Sequence, residues 1–74
     1  MGRMIVLNRS GDIQIVWDSD DAKSTERARS EFKRMISSGY IAYQILKDGR
    51  PGGIVRDFDP GLDRVVLIPV PAAG

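Results

Sequence analysis

The chain has 74 residues, with 11 basic and 10 acidic side chains and a formal net charge of +1. Apolar residues make up 42% of it, which suits one small domain that needs almost every apolar side chain for its core and leaves little for a deep private ligand pocket. The sequence holds no cysteine and no histidine, which excludes disulfides, thiolate and imidazole metal sites, and any histidine-based triad.

Met4 to Leu7 reads as a first, short apolar strand. The residues around it lack the apolar region and cleavage site of a secretion signal. Gly2 stands where a myristoylation start would have it, but Val6 occupies the position that such a motif gives to serine or threonine. No apolar run approaches the roughly 18 residues of a membrane span. The expectation is a cytoplasmic, soluble chain without a membrane partner.

Asn8-Arg9-Ser10-Gly11-Asp12 is a turn, and Ile13 to Trp17 is a second strand. Ile13, Ile15 and Trp17 share one face of it, Gln14 and Val16 the other. The two strands form a hairpin. Asp18-Ser19-Asp20-Asp21 is a helix start, where carboxylates accept from free N–H groups and suit the positive end of the helix dipole. The helix is expected from Ala22 to Ser37 or Ser38. Thr25, Ala28, Phe32, Met35 and Ile36 form its apolar stripe, and Gly39 stops it.

Tyr40 to Leu46 is a third strand, followed by a loop from Lys47 to Gly53. Ile54 to Phe58 is a fourth strand, and Asp59 to Asp63 a tight turn. The closing strand runs from Arg64 to about Val70, with a flexible tail at 71–74 beyond it. Its run Val65-Val66-Leu67-Ile68 does not alternate, so it reads as a central strand buried on both faces.

The sequence therefore predicts a single α+β domain over residues 1–70, in the order ββαβββ, with a mixed sheet and one helix packed on one face. If the first and last strands are parallel neighbours, the arrangement is β-grasp-like. A plain antiparallel sheet crossed by the helix is the alternative. Pro69 points to a pairing that ends there or an edge on that side.

Several residue groups invite a functional reading. Lys23, Arg27, Arg29, Lys33 and Arg34 lie on the helix, and the first, second and last of them cluster opposite Phe32. They could meet phosphates or an acidic partner. The plainer reading is a solvated face laced by Arg27–Glu31 and Glu31–Arg34 pairs, with no aromatic residue interleaved. Asp18, Asp20 and Asp21 resemble the start of a calcium loop, but Lys23 and Arg29 occupy its glycine and glutamate positions, so capping is the expected role. Gly49 to Gly53 lacks the helix that a phosphate loop needs and reads as a hairpin turn with Arg50 exposed at its tip. Asp57 and Asp59 flank an aromatic, and Asp59 is placed to bond the Pro60-Gly61 turn. Trp17, Tyr40 and Tyr43 are candidates for a contact patch, because one helix covers only one face of the sheet.

Two patterns carry a resemblance. Gly11-Asp12, Trp17-Asp18, the Ala28–Phe32 helix and Gly39-Tyr40 form one. Phe58-Asp59-Pro60 followed by Val65 to Pro69 forms the other. Together they resemble small uncharacterised proteins encoded in phage and prophage genomes, which implies a virion component or a binder of a host factor. The element order is also similar to ubiquitin-like and sulfur-carrier proteins. Carrier members end in Gly-Gly, whereas this chain ends Ala72-Ala73-Gly74.

The expectation is thus a non-enzymatic interaction or structural module with no cofactor. It would bind a protein, or itself, through the exposed sheet face and edge, with Trp17, Tyr40, Tyr43 and Arg50 as contacts. A nucleic-acid binder using the basic helix residues and a ubiquitin-like carrier are the alternatives.

Overall fold

In the computed structural model, which describes residues 1–70, the elements are β1 (Gly2–Val6), β2 (Ile13–Trp17), α1 (Ala22–Ser37), β3 (Tyr40–Ile45), β4 (Pro51–Val55) and β5 (Arg64–Pro69). The tail expected at 71–74 lies outside the described residues.

The helix starts where the acidic segment stops. Asp21 has an extended backbone and its carboxylate accepts from the Lys23 N–H at 3.1 Å. The Asp18 carbonyl accepts from the Ser24 and Thr25 hydroxyls at 3.3 and 3.0 Å. The first contact satisfies an N–H that a helix start leaves open, and the hydroxyl bonds tie the preceding segment to the first turn. At the other end the Ser38 N–H reaches back to the carbonyls of Arg34 and Met35. Gly39 then turns the chain at φ +97°, a backbone conformation that glycine adopts without steric cost.

All five strands belong to one sheet in the order β2-β1-β5-β3-β4. β1 and β5 are parallel, and the other neighbours are antiparallel. The mixed sheet replaces the plain antiparallel alternative, and β5 is its middle strand. Pro69 closes β5 opposite Tyr40. The Val70 N–H bonds the Gly39 carbonyl on the β3 side, so the side on which Pro69 lacks an N–H faces β1. The last bond on that side is the Leu7 N–H to the Leu67 carbonyl, and with no N–H at Pro69 the parallel ladder ends there.

Strand alternation sorts side chains onto two faces. Met4, Val6, Trp17, Ala42, Val65 and Leu67 point to the helix and are buried with Ala28, Phe32 and Met35. Ile15, Ile36, Tyr40, Val55, Phe58 and Leu62 pack around them. No charged side chain is buried in this core, and the indole N–H of Trp17 is satisfied by the Pro60 carbonyl.

Two expectations are corrected. The closing strand is central but not buried on both faces: Val65 and Leu67 are buried, whereas Val66 is half-buried and Ile68 is 40% exposed. The fourth strand lies three residues earlier than expected. Pro51, Gly52 and Gly53 belong to it, with Pro51 opposite Ile45. Asp57 and Phe58 leave the sheet instead. Phe58 is drawn over the core, its ring 4.9 Å from that of Trp17 and 6.0 Å from that of Phe32.

Candidate interaction surface

The helix covers one face of the sheet, and the residues of opposite parity form the other. Strand register sets Gln14, Ile5, Val66, Tyr43 and Ile54 side by side in one row across all five strands. Ile68 and Ile41 are partners in a second row toward one end. Val16, Arg3 and Arg64 form a third toward the other. Ile54 is 55% exposed and Val16 46%. Ile5, Ile41, Tyr43 and Val66 are half-buried, sheltered largely by one another. A row of apolar side chains across four strands, ended by Gln14 on β2, is larger than the scattered apolar exposure normal for a surface.

One end of this face is basic. Arg3 and Arg64 are register partners on adjacent strands. Like charges so placed repel unless something neutralises them. Among the described residues neither forms an ion pair. Both line an open depression of about 300 Å³ with Val16 and Asp63. Lys47 lies beside Arg64 across a smaller depression lined also by Ile45. The open face thus presents an apolar field bordered by Arg3, Arg64 and Lys47, with Asp63 among them.

The expected contact residues separate. Tyr43 lies at the middle of the open face. Trp17 is 1% exposed and belongs to the core. Its Nε1–H donates to the Pro60 carbonyl at 3.1 Å, and its ring meets Phe58 edge-on at 65°. Tyr40 packs on the helix side of the sheet against the core. It also lines a groove of about 400 Å³ with Ile36, Ile41, Ile54 and Val55. The groove exists because β4 ends at Val55, opposite Ala42, and leaves the start of β3 uncovered on that side. Arg50 is exposed in the β3–β4 turn, where the Asp48 carboxylate holds its Nε–H at 2.6 Å.

The basic helix residues are dispersed as well. Arg29 turns inward, its guanidinium 5.5 Å above the Phe58 ring and its Nε 3.7 Å from Glu26. Arg34 is paired with Glu31. The expected Arg27–Glu31 pair does not form, and the Arg29–Glu26 pair replaces it. Lys33 borders a groove beside Phe58 and Arg56. Lys23 and Arg27 are exposed, without an ion pair among the described residues.

The acidic segments serve the backbone. Besides the Asp21 cap, Asp18 accepts from the Asp20 N–H at 3.0 Å, and Asp59 from the Gly61 N–H at 2.9 Å. Among the described residues no three acidic side chains converge as metal ligands would. Among the described residues no helix is long and apolar enough to cross a membrane.

Sequence reasoning missed Ile5, Val66, Ile54, Arg3 and Arg64 as parts of one surface. The alternation Arg3-x-Ile5-x-Leu7 was a usable signal. Its neighbours across the sheet were not readable without the strand order. Comparison of the chain with protein-family models, with curated proteins and with solved structures finds no match.

Proposed function

We propose that this chain is a β-grasp-like, non-enzymatic contact module that binds another protein through the uncovered face of its sheet. The row Ile5–Val66–Tyr43–Ile54 carries this reading. It offers a continuous apolar contact, and Arg3 and Arg64 at its border add orientation for an acidic group on the partner. The β-grasp description rests on the strand order and the parallel β1–β5 pair. The lack of histidine and cysteine supports a binding role over catalysis.

The test is a footprint. A partner recovered by affinity capture is titrated into the chain, and amide hydrogen exchange is read residue by residue. Protection is expected along Ile5, Val66 and Tyr43, and binding is expected to vanish in Tyr43→Asp. Protection confined to the exposed helix residues around Lys23 and Arg27 would remove the proposal. So would steeply salt-dependent binding of a labelled oligonucleotide that survives Tyr43→Asp, because that salt dependence marks phosphate recognition.

A further inference from the structure

The two edges of the sheet are built differently. β4 is guarded on its outer side: it begins at Pro51, continues through Gly52 and Gly53, and its pairing with β3 is irregular between Tyr43 and Ile45. Proline, short regular pairing and irregular register are devices that keep an edge from recruiting another strand. β2, the other edge, has none of them. Its sequence Ile13-Gln14-Ile15-Val16-Trp17 contains no proline, glycine or charge, and it pairs regularly with β1 along its whole length.

The hydrogen-bond directions show what this edge offers. The N–H groups of Arg3 and Leu7 bond the carbonyls of Asp63 and Leu67 on the β5 side. By alternation the backbone groups of Gly2, Met4 and Val6 face β2, where their partners are Trp17, Ile15 and Ile13. The backbone N–H and C=O of Gln14 and Val16 therefore point outward from the sheet. Their side chains lie on the open face beside Ile5 and Arg3.

We infer that a second copy of this chain occupies the β2 edge, pairing antiparallel about a two-fold axis through Gln14. Only outward-facing residues can exchange hydrogen bonds, so the axis must set residues 14 and 16 against outward-facing residues of the other copy. Pairing Gln14 with Val16 would bring Asp12 opposite Asp18, two like charges. Pairing Gln14 with Gln14 brings Asp12 opposite Val16 and one strand from Arg3. Asp12 and Arg3 have no ion pair among the described residues, so this register joins unneutralised opposite charges twice over. The contact is isologous and closes as a dimer, and the guarded β4 edge stops further growth. Both helices then lie on one side of a continuous sheet, and both open faces on the other. The inference concerns the edge and does not depend on what binds the face.

Sedimentation velocity of the full chain over a concentration series tests it. A species of twice 8.2 kDa is expected as concentration rises. Val16→Pro removes an outward N–H and no bond to β1, a placement that edge strands tolerate. It is expected to weaken dimerisation at least about tenfold, which is 1.4 kcal/mol or more, with the circular dichroism unchanged. Asp12→Arg is expected to weaken the dimer, and adding Arg3→Asp to restore it. A wild-type chain that stays monomeric overturns the inference. A dimer that ignores Val16→Pro and is lost in Tyr43→Asp also overturns it, by moving the contact to the face. Should Val16→Pro not fold, the charge exchange decides: failure of the double variant to regain the dimer overturns the proposed pairing.

Discussion

At the scale of single residues, the tightest constraint is the pair Gly2 and Trp17. They are register partners on β1 and β2, and the indole lies over the glycine. A Cβ on Gly2 would overlap the ring and come within 2.7 Å of the Leu62 carbonyl oxygen. The indole cannot easily move aside, because the Pro60 carbonyl and the Phe58 ring fix it. Gly2→Ala is therefore expected to destabilise the chain by about 1–3 kcal/mol, as overpacking does. A lower urea midpoint with an unchanged slope would show it, read from the fluorescence of Trp17, the only tryptophan. The alternation of Ile13, Ile15 and Trp17 was legible in the sequence. Which face met the helix was not, since that depends on pairing with residues elsewhere in the chain. Arg29 illustrates the same limit. Its spacing placed it beside the apolar stripe, but the Phe58 ring that draws it inward comes from a distant loop.

Among the elements, those governed by local chemistry were the most legible. The helix has its bounds at Ala22 and Ser37 because an acidic cap, an apolar stripe and a glycine stop each act on backbone within a few residues of themselves. The cap gives a direct prediction. Asp21→Ala should cost about 1 kcal/mol and lower the thermal midpoint followed by circular dichroism. Asp21→Asn, which keeps an acceptor oxygen, should cost far less. A midpoint equally lowered in both variants would assign the effect to charge at the helix start and not to the cap bond. β4 was not legible, and the reason is physical. Pro51-Gly52-Gly53 has the local preferences of a loop, and Phe58 those of a strand. Pairing with β3 overrides the first, and burial of the Phe58 ring against Trp17 and Phe32 overrides the second. Tertiary contacts of this kind decide β structure more often than intrinsic preference does.

For the whole molecule, the decisive arithmetic is one helix against two sheet faces. The run Val65 to Ile68 marked the centre of the sheet, and it is apolar toward both sides. The described residues supply a cover for one side only, so adjacent residues of β5 live in opposite environments. Leu67 is completely buried, whereas Val66 shares the open row with Ile5 and Tyr43. A carboxylate at each position should then have opposite consequences. Leu67→Asp loses a buried side chain worth about 2–5 kcal/mol and adds the desolvation of a charge. A domain of this length holds only about 4–11 kcal/mol in total at typical per-residue stabilities, so this variant is expected to be unfolded at room temperature. Val66→Asp places its charge at the water-facing surface of the isolated chain. It should stay folded, with a stability within about 1 kcal/mol of the parent, the span that strand substitutions usually cover. Binding through the open face should nonetheless be lost, because the same carboxylate would be buried without a partner at the contact. Circular dichroism with urea titration reads the first property, and the footprint experiment the second. An unfolded Val66→Asp would mean that the chain itself covers that face, and the interaction surface would have to be sought elsewhere.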